Sequence, residues 1–327
     1  MAKLSAKNLN FRFKKYIADN DLVRAGDKVI VACSGGPDSV ALLYLLHRFA
    51  GEQGIEIVVA HYNHKLRGGE ADTDEKFVKN LAKKLKYKFI SGTSEGSIKN
   101  EEQAREQRYA FLEKTRGEEG AKLVAVGQTL DDLAETVLLN LIRGAGIRGL
   151  YSLKAKRGNI VRPLLFAEKF ELLSYLREKK IRFRIDKSNN SLVYTRNIMR
   201  HKILPELKKI NPKATTALAR ASLLASQADE YIIGSSLKVL SQISENDDGK
   251  IIIERKKFTS LSPAIQSEIL RILARSANVN RDLSFAQIDE ILQVIEKNIG
   301  KKHKILLSKL KFEVKNGKIV ISNLFKE

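Results

Sequence analysis

The run Asp27-Lys28-Val29-Ile30-Val31-Ala32-Cys33 leads into Ser34-Gly35-Gly36-Pro37-Asp38-Ser39 and then into Val40-Ala41-Leu42-Leu43-Tyr44-Leu45-Leu46. The first segment is short, apolar and β-branched. The last is apolar nearly all round and free of Gly and Pro. This pattern predicts a buried strand, a tight turn and a buried helix. Gly35 and Gly36 lack Cβ, so their backbone can approach an anion closely and take positive φ. Pro37 suits the first helical position, where no N–H is needed. The unpaired N–H groups of the helix start then face the loop with the positive end of the helix dipole. Ser34 and Ser39 add hydroxyl donors. Asp38 is the odd member, because a carboxylate repels phosphate unless a metal ion lies between them. The loop therefore reads as a phosphate site with Mg²⁺ beside Asp38. No Lys-Ser/Thr follows the glycines, which excludes a Walker loop.

Working outward, the same alternation repeats. Ile55 to Asn63 predicts a second strand, Glu70 to Leu85 a helix, Lys88 to Ser91 a third strand and Lys99 to Thr115 a helix. Ala121 to Val126 predicts a fourth strand ended by Gly127, and Asp131 to Ile142 a helix. Strands and helices at this spacing imply a parallel sheet covered on both faces. Ligands of such sheets sit at the carboxyl ends of the strands, where the Ser34–Ser39 loop, the His61–Arg67 segment and the Gly127–Asp132 segment all fall. Upstream, Lys7 to Ala18 predicts an amphipathic helix. Downstream, Gly144, Gly146 and Gly149 surround Arg143 and Arg148. Ile160 to Leu165 reads as an edge strand or extended segment, and Ala167 to Lys179 as a helix. Asp186 to Asn190 reads as a polar turn, and Tyr194 to Leu207 as a basic helix that Pro205 can kink.

The chain has 327 residues, which predicts two domains, and Asn211-Pro212 is the expected boundary. Residues 213–327 should be mainly helical, with a capping box at Ser284 and Gln287 and a closing hairpin around the type I′ turn Asn316-Gly317. Net charge is +21. Residues 1–212 hold 40 Lys and Arg against 25 Asp and Glu, and residues 213–327 hold 19 against 13. The excess is spread over folded-looking sequence, as expected of a surface that holds a polyanion. The single Cys33 excludes a disulfide framework and a Cys-based zinc site. Met1 to Asn20 is polar and basic and no long apolar span appears, so the expectation is a soluble, cytoplasmic protein with no membrane partner. The sequence sets no oligomeric state.

The Ser34–Ser39 loop resembles the SGGxDS loop of the ATP pyrophosphatases, and further stretches narrow the likeness to the tRNA(Ile)-lysidine synthetase family. They are His61-Tyr62-Asn63-His64-Lys65-Leu66-Arg67, Ala104-Arg105-Glu106-Gln107-Arg108-Tyr109 and Asp131-Asp132-Leu133-Ala134-Glu135-Thr136. Arg143-Gly144, Arg148-Gly149-Leu150, Arg162-Pro163-Leu164, Asp186 to Asn190 and Arg196-Asn197-Ile198-Met199-Arg200 continue the series over residues 25–210. One stretch departs: Gly127-Gln128-Thr129-Leu130 stands where the family usually carries a His. Gln128 can keep a hydrogen bond but cannot become a cation.

The resemblance implies an α/β fold, with a parallel-sheet, adenine-nucleotide α-hydrolase-like N-terminal domain and a smaller, mainly helical C-terminal domain that binds tRNA. It implies a two-step ligation on the CAU anticodon of tRNA(Ile). The O2 of cytidine 34 attacks the α-phosphate of ATP and pyrophosphate leaves; the amine of free lysine then attacks C2 and AMP leaves. ATP would bind Ser34, Gly35, Gly36, Pro37, Asp38, Ser39, Ala60 and Arg67. Asp38, Asp132, Arg105 and Arg108 would carry the chemistry, with Asp38 and Asp131 on Mg²⁺. The amine step needs a carboxylate to hold an ammonium and take its proton near pH 7. Asp131, Asp132 and Glu135 can supply it, since 131/135 and 132/135 share a helix face; Asp132 is the choice for the amine or metal contact, and Asp131 and Asp132, Asp131 above all, also suit helix capping. Arg143, Arg148, Arg196 and Arg200 would meet tRNA phosphates, although acidic neighbours could claim the last two. His61 and His64 are assigned to packing beside the nucleotide. The competing readings are another tRNA-modifying enzyme of this class, such as a thiolase, and a non-catalytic tRNA-binding protein of the same fold. The first normally needs catalytic cysteines, and the intact loop with Asp131-Asp132 argues against the second.

Overall fold

The apolar run before the glycines forms strand β1 (Lys28–Ala32), whose side chains alternate between two cores. Val29 and Val31 enter one, and Ile30 the other. A strand buried on both faces is what a central parallel strand requires. The structure is a computed structural model that describes residues 6–64, 69–94, 100–185, 195–248, 250–276, 283–297, 304–307 and 310–323. Arg67 and the Asp186–Asn190 turn lie outside those residues.

Around β1 lie β2 (Glu56–Asn63), β3 (Lys88–Thr93), β4 (Leu123–Ala125), β5 (Lys156–Arg157) and β6 (Ile160–Val161), in the order β3-β2-β1-β4-β6-β5. All pairings are parallel except β5 with β6. Helices α1 (Ala6–Asp19), α2 (Pro37–Gln53), α3 (Gly69–Lys84) and α7 (Lys169–Glu178) cover one face with Phe13, Leu42, Leu46, Val78 and Leu172 among the buried side chains. Helix α4 (Glu101–Glu118) covers the other, with Leu112 against Ile30, Val58 and Val124. Helices α5 (Leu130–Ile142) and α6 (Ile147–Leu150) follow β4. From β1 the chain winds outward to β2 and β3, then returns to β4 on the other side of β1. The crevice at the carboxyl ends of β1 and β4 is therefore the topological switch point, where ligands of open α/β sheets bind.

The basic helix expected over Tyr194–Leu207 is interrupted. It consists of α8 (Thr195–Ile198), a π-helical turn (Met199–Ile203) and α9 (Leu204–Ile210). Pro205 has no N–H and its ring crowds the carbonyl of His201, four residues back. The wider turn relieves that clash, and the Leu204 N–H bonds to the carbonyl of Met199.

Asn211 is extended and separates α9 from α10 (Ala214–Ile243). Contacts divide the chain further on, into units 1–223 and 224–327, because Leu218 and Ala219 still pack on Leu133, Val137, Leu153 and Leu165. In the second unit, β7 (Ser244–Asp247), β8 (Lys250–Glu254), β9 (Lys304–Leu307), β10 (Leu310–Lys315) and β11 (Lys318–Asn323) form an antiparallel sheet in the order β7-β8-β11-β10-β9. The sequence reading anticipated only the β10–β11 hairpin, whose Asn316 and Gly317 have φ of 51° and 72°, as a type I′ turn requires. Helices α11 (Arg255–Thr259), α12 (Pro263–Ser276) and α13 (Phe285–Lys297) complete the unit around Phe258, Ile269, Ile291 and Phe312. The Ser284–Gln287 capping box forms at the start of α13. Among the described residues no helix is long and apolar enough to cross a membrane.

Candidate active site

The loop after β1 is held open by hydrogen bonds among its own small residues. Ser39 Oγ accepts from the Ser34 N–H at 3.1 Å and donates to the Gly36 carbonyl at 3.0 Å. Gly35 has φ of 88°, which an L side chain rarely adopts. Gly36 is the N-cap of α2 and Pro37 its first residue, so the first-turn N–H groups of α2 point into the crevice without intrahelical partners. Gly127, at the end of β4, passes so close beneath that a Cβ there would lie 3.1 Å from the Asp38 carbonyl carbon and the Ser39 nitrogen. Cys33 is buried behind the loop, and burial pushes its thiol pKa up, against the lesser pull of its hydrogen bonds. Such a thiol, buried and held protonated, is chemically inert.

Asp38 projects from the first turn of α2 with its Oδ1 buried and lacking any hydrogen-bond partner. Its pKa is pushed up to about 6, chiefly by burial, with Asp132 and Asp131 adding to the rise and Lys169 and Arg200 opposing it. A short acidic segment faces it from α5. Thr129 is the N-cap and Asp132 closes a capping box, its Oδ2 accepting from the Thr129 N–H at 2.8 Å. Asp132 Oδ1 lies 3.2 Å from an Arg200 nitrogen and 3.4 Å from Lys169 Nζ. Burial alone would raise the Asp132 carboxyl, but Lys169, Arg196, Arg200 and the Thr129 N–H outweigh it and bring it to about 2. One turn on, the side chain of Glu135 is 0% exposed. It accepts from Arg200 Nε at 2.7 Å and Arg196 Nε at 3.0 Å. Asp131 turns the other way, accepting from the Lys169 N–H at 2.7 Å and from Lys208 Nζ at 3.3 Å.

Two expectations change here. Asp132, not Asp131, is the capping carboxylate, because the third residue of a helix is the one whose side chain can reach back to the N-cap N–H. Arg196 and Arg200, expected to meet tRNA phosphates, have their guanidinium groups engaged by Glu135 and Asp132. A carboxylate as buried as Glu135 requires such partners. Arg143 and Arg148 fall at the corner between α5 and α6, and Arg143 is exposed beside the exposed Ile142. Ala60, expected against the adenine, is 1% exposed and lies in the core under α4, with its carbonyl accepting from the Cys33 N–H. Arg105 and Arg108 are exposed on α4, each 5.5 Å from the Tyr109 ring.

Sequence reasoning missed Lys169 and the role of Arg162. Lys169 begins α7 and reaches Asp132, Glu135 and Asp38. A cation at a helix start opposes the helix dipole, and that local mismatch was the available signal. Buried Arg162 donates to Gln128 Oε1 at 2.5 Å and hydrogen-bonds Tyr109. Gln128 thus acts as an acceptor for a guanidinium. His61 Nδ1–H donates to the Cys33 carbonyl at 2.9 Å, which ties β2 to the loop. Among the described residues, no group of three or more acidic, His or Cys side chains forms a ready metal cage.

A glycine-cradled anion loop at a switch point, with an acidic helix start opposite, is the nucleotide site of the PP-loop proteins. The chain matches the PP-loop domain family over residues 5–207 and belongs to that family. It is 36% identical over 311 residues to the tRNA(Ile)-lysidine synthase of Dehalococcoides mccartyi, covering 90% of this chain and 66% of that protein. It is 32% identical over 291 residues to the tRNA(Ile)-lysidine synthase of Caldanaerobacter subterraneus, covering 86% of this chain and 62% of that protein. The chain thus spans a little under two thirds of the length of these relatives. Among solved structures it is similar to the U34-tRNA thiolase NcsA of Methanococcus maripaludis, with a TM-score of 0.57, 18% identity, and coverage of 68% of this chain and 80% of that one. That likeness concerns the fold alone.

Proposed function

We propose that this chain is an ATP-dependent carbon–nitrogen ligase that joins free lysine to C2 of cytidine 34 in the CAU anticodon of tRNA(Ile), through an adenylated tRNA, in the cytoplasm. The observation that carries this reading is the pairing of an intact PP-loop with Asp38, Asp132 and Glu135 around a single ammonium-sized position. The identity to the lysidine synthases over nearly the whole chain supports the choice of substrate.

The chain's own groups divide the work. The first-turn N–H groups of α2 and the Ser34 and Ser39 hydroxyls receive the phosphates and stabilise the charge that develops on the leaving pyrophosphate. The partnerless Oδ1 of Asp38 fits a hard cation, and Mg²⁺ is commonly held by one or two carboxylates together with substrate phosphates rather than by a full protein cage. When bound, Mg²⁺ would neutralise charge on the polyphosphate. Asp132 and Glu135 receive the amino acid's ammonium and lower the cost of bringing a cation among Arg196, Arg200 and Lys169. Asp132, ionised at neutral pH with its carboxyl held at about 2, fixes and orients that ammonium but is too weak a base to take its proton. Arg105, Arg108, Arg143 and Arg148, exposed or partly exposed, contribute phosphate contacts with tRNA, and the second unit adds tRNA affinity without chemistry.

The thiolase alternative is disfavoured by the lone, buried Cys33. The test is ATP–pyrophosphate exchange with and without tRNA(Ile), followed by lysine incorporation. Exchange that depends on tRNA together with lysine transfer is the expected result. Exchange without lysine transfer, or sulfur transfer instead, removes the reading.

A further inference from the structure

Lys169 is anchored at the start of α7 by its main-chain N–H, which donates to Asp131 Oδ2 at 2.7 Å. From there its side chain reaches the carboxylates beside the loop. Nζ stands 3.4 Å from Asp132 Oδ1, 3.8 Å from Glu135 Oε1 and 4.0 Å from Asp38 Oδ2. One ammonium faces three carboxylates from two helices. The neighbouring cations are bound far more firmly. Arg200 makes bonds of 2.7 and 3.0 Å to Glu135 and 3.2 Å to Asp132, and Arg196 one of 3.0 Å to Glu135. These are planar, charge-assisted contacts with fixed geometry. Lys169 makes one long hydrogen bond to this group and two looser ion-pair contacts, on a flexible stem that is 24% exposed. It is the cation of the cluster that can leave.

We propose that the Lys169 ammonium and the ammonium of the incoming amino acid share one seat, and that binding of nucleotide is what empties it. This rests on the lysine-ligating reading above. Without nucleotide, the carboxylates of Asp38, Asp132 and Glu135 are balanced by Lys169, Arg196 and Arg200, and a second ammonium meets no uncompensated charge. A polyphosphate on the Ser34–Ser39 loop brings several negative charges next to Asp38, within one side-chain swing of Lys169 Nζ. The ammonium turns to the phosphates, the three carboxylates are left facing two guanidinium groups, and Asp132 Oδ1 and Glu135 Oε1 each lose the contact that Lys169 made. A primary ammonium of the substrate then takes the place that the protein's own lysine held. Nucleotide thus binds first and amino acid second, by a differential contact that the two states make with Lys169. By linkage, saturating lysine must tighten nucleotide by the same factor that nucleotide tightens lysine.

The experiment is equilibrium dialysis of radiolabelled lysine against the 327-residue chain, with and without α,β-methylene ATP and Mg²⁺. In the wild type the analogue should tighten lysine binding by ~10-fold or more, within the usual span of coupling between sites. Lys169→Met and Lys169→Gln should bind lysine with nearly the same affinity in both conditions, and Lys169→Arg should retain the dependence. Equal lysine binding by the wild type with and without the analogue overturns the proposal, as does an undiminished dependence in the Met and Gln variants. If those variants lose the analogue altogether, lysine binding without nucleotide decides: the Met and Gln variants, with the seat already empty, should bind lysine more tightly than the nucleotide-free wild type, and equal or weaker binding overturns the proposal. If the wild type binds the analogue but lysine under no condition, the lysine-ligating reading itself fails and the proposal with it.

Discussion

Asp38→Asn should make the protein more stable at pH 8 while removing its activity. Asp38 lies beside the loop with a partnerless Oδ1 and a pKa pushed up to about 6 from the ordinary 3.8. The folded value lies above the unfolded one, so the native state retains a proton that the unfolded chain has lost. Stability therefore falls as pH rises from about 4 to about 6, and stays low above that. At ~1.4 kcal/mol per pH unit the gap amounts to ~3 kcal/mol, and solvent access to 26% of the side chain brings the expectation to ~2 kcal/mol. Asn keeps the shape and lacks the charge. In a unit of 223 residues the variant should melt roughly 4–8 °C above the wild type at pH 8. At pH 4, where both forms are largely neutral at this position, the advantage should shrink to below ~1 kcal/mol. Mg²⁺ at pH 8 should raise the melting temperature of the wild type and leave the variant unmoved. ATP–pyrophosphate exchange should fall at least ~100-fold, the scale of losing one electrostatic stabiliser. Thermal melts from pH 4 to 8 with and without Mg²⁺, run beside the exchange assay, test all of this. A variant less stable than the wild type at pH 8, or equally advantaged at pH 4 and 8, refutes the reasoning about burial. Near-normal exchange removes Asp38 from the mechanism.

Asp132→Asn should have the opposite sign. Its carboxyl is held at about 2 in the fold, so its contribution of about 2 kcal/mol is present above pH 4 and lost as pH falls toward 2, and urea unfolding should show the variant weaker by about that much at pH 7. Its lysine transfer should fall and recover in part at higher pH, where free amine is available; a loss confined to adenylation would assign Asp132 to the metal instead. Gly127→Ala should push the Cβ into the backbone of Asp38 and Ser39, weakening nucleotide binding, as calorimetric titration with α,β-methylene ATP would record; unchanged affinity would mean that the loop tolerates displacement. A chain ending at Leu223 should bind nucleotide and melt higher than one ending at Asn211, which lacks Leu218 and Ala219 against the α5 core, and both should bind tRNA more weakly than the full chain and with a shallower salt dependence. Equal melting temperatures for the two truncations would show that the start of α10 adds nothing to the first unit.

What the sequence determined by itself is the part governed by neighbours along the chain. The apolar run into Gly35-Gly36-Pro37 specifies strand, loop and helix start because backbone sterics and the missing proline N–H act within a few residues. The Ser284–Gln287 box and the Asn316-Gly317 turn form for the same reason. Strand–helix alternation settled the parallel sheet and hence the end of it where a ligand sits. The partners of the charged groups were not legible. Glu135 meets Arg196 and Arg200 across separations of 61 and 65 residues, and Lys169 meets Asp132 across 37. Each of those side chains is equally at home in water, so nothing local says which will be buried together. Asp131 and Asp132 are adjacent and alike in sequence; the capping box turns Asp132 back toward Thr129, and only the docking of α7 and α9 gives Asp131 its partners on Lys169 and Lys208. The π-helical turn before Pro205 and the extra strands of the second unit likewise depend on packing across the fold. Local sterics write elements into the sequence, whereas the pairing of buried charges is decided when distant helices come together and remove the water that would otherwise satisfy each charge alone.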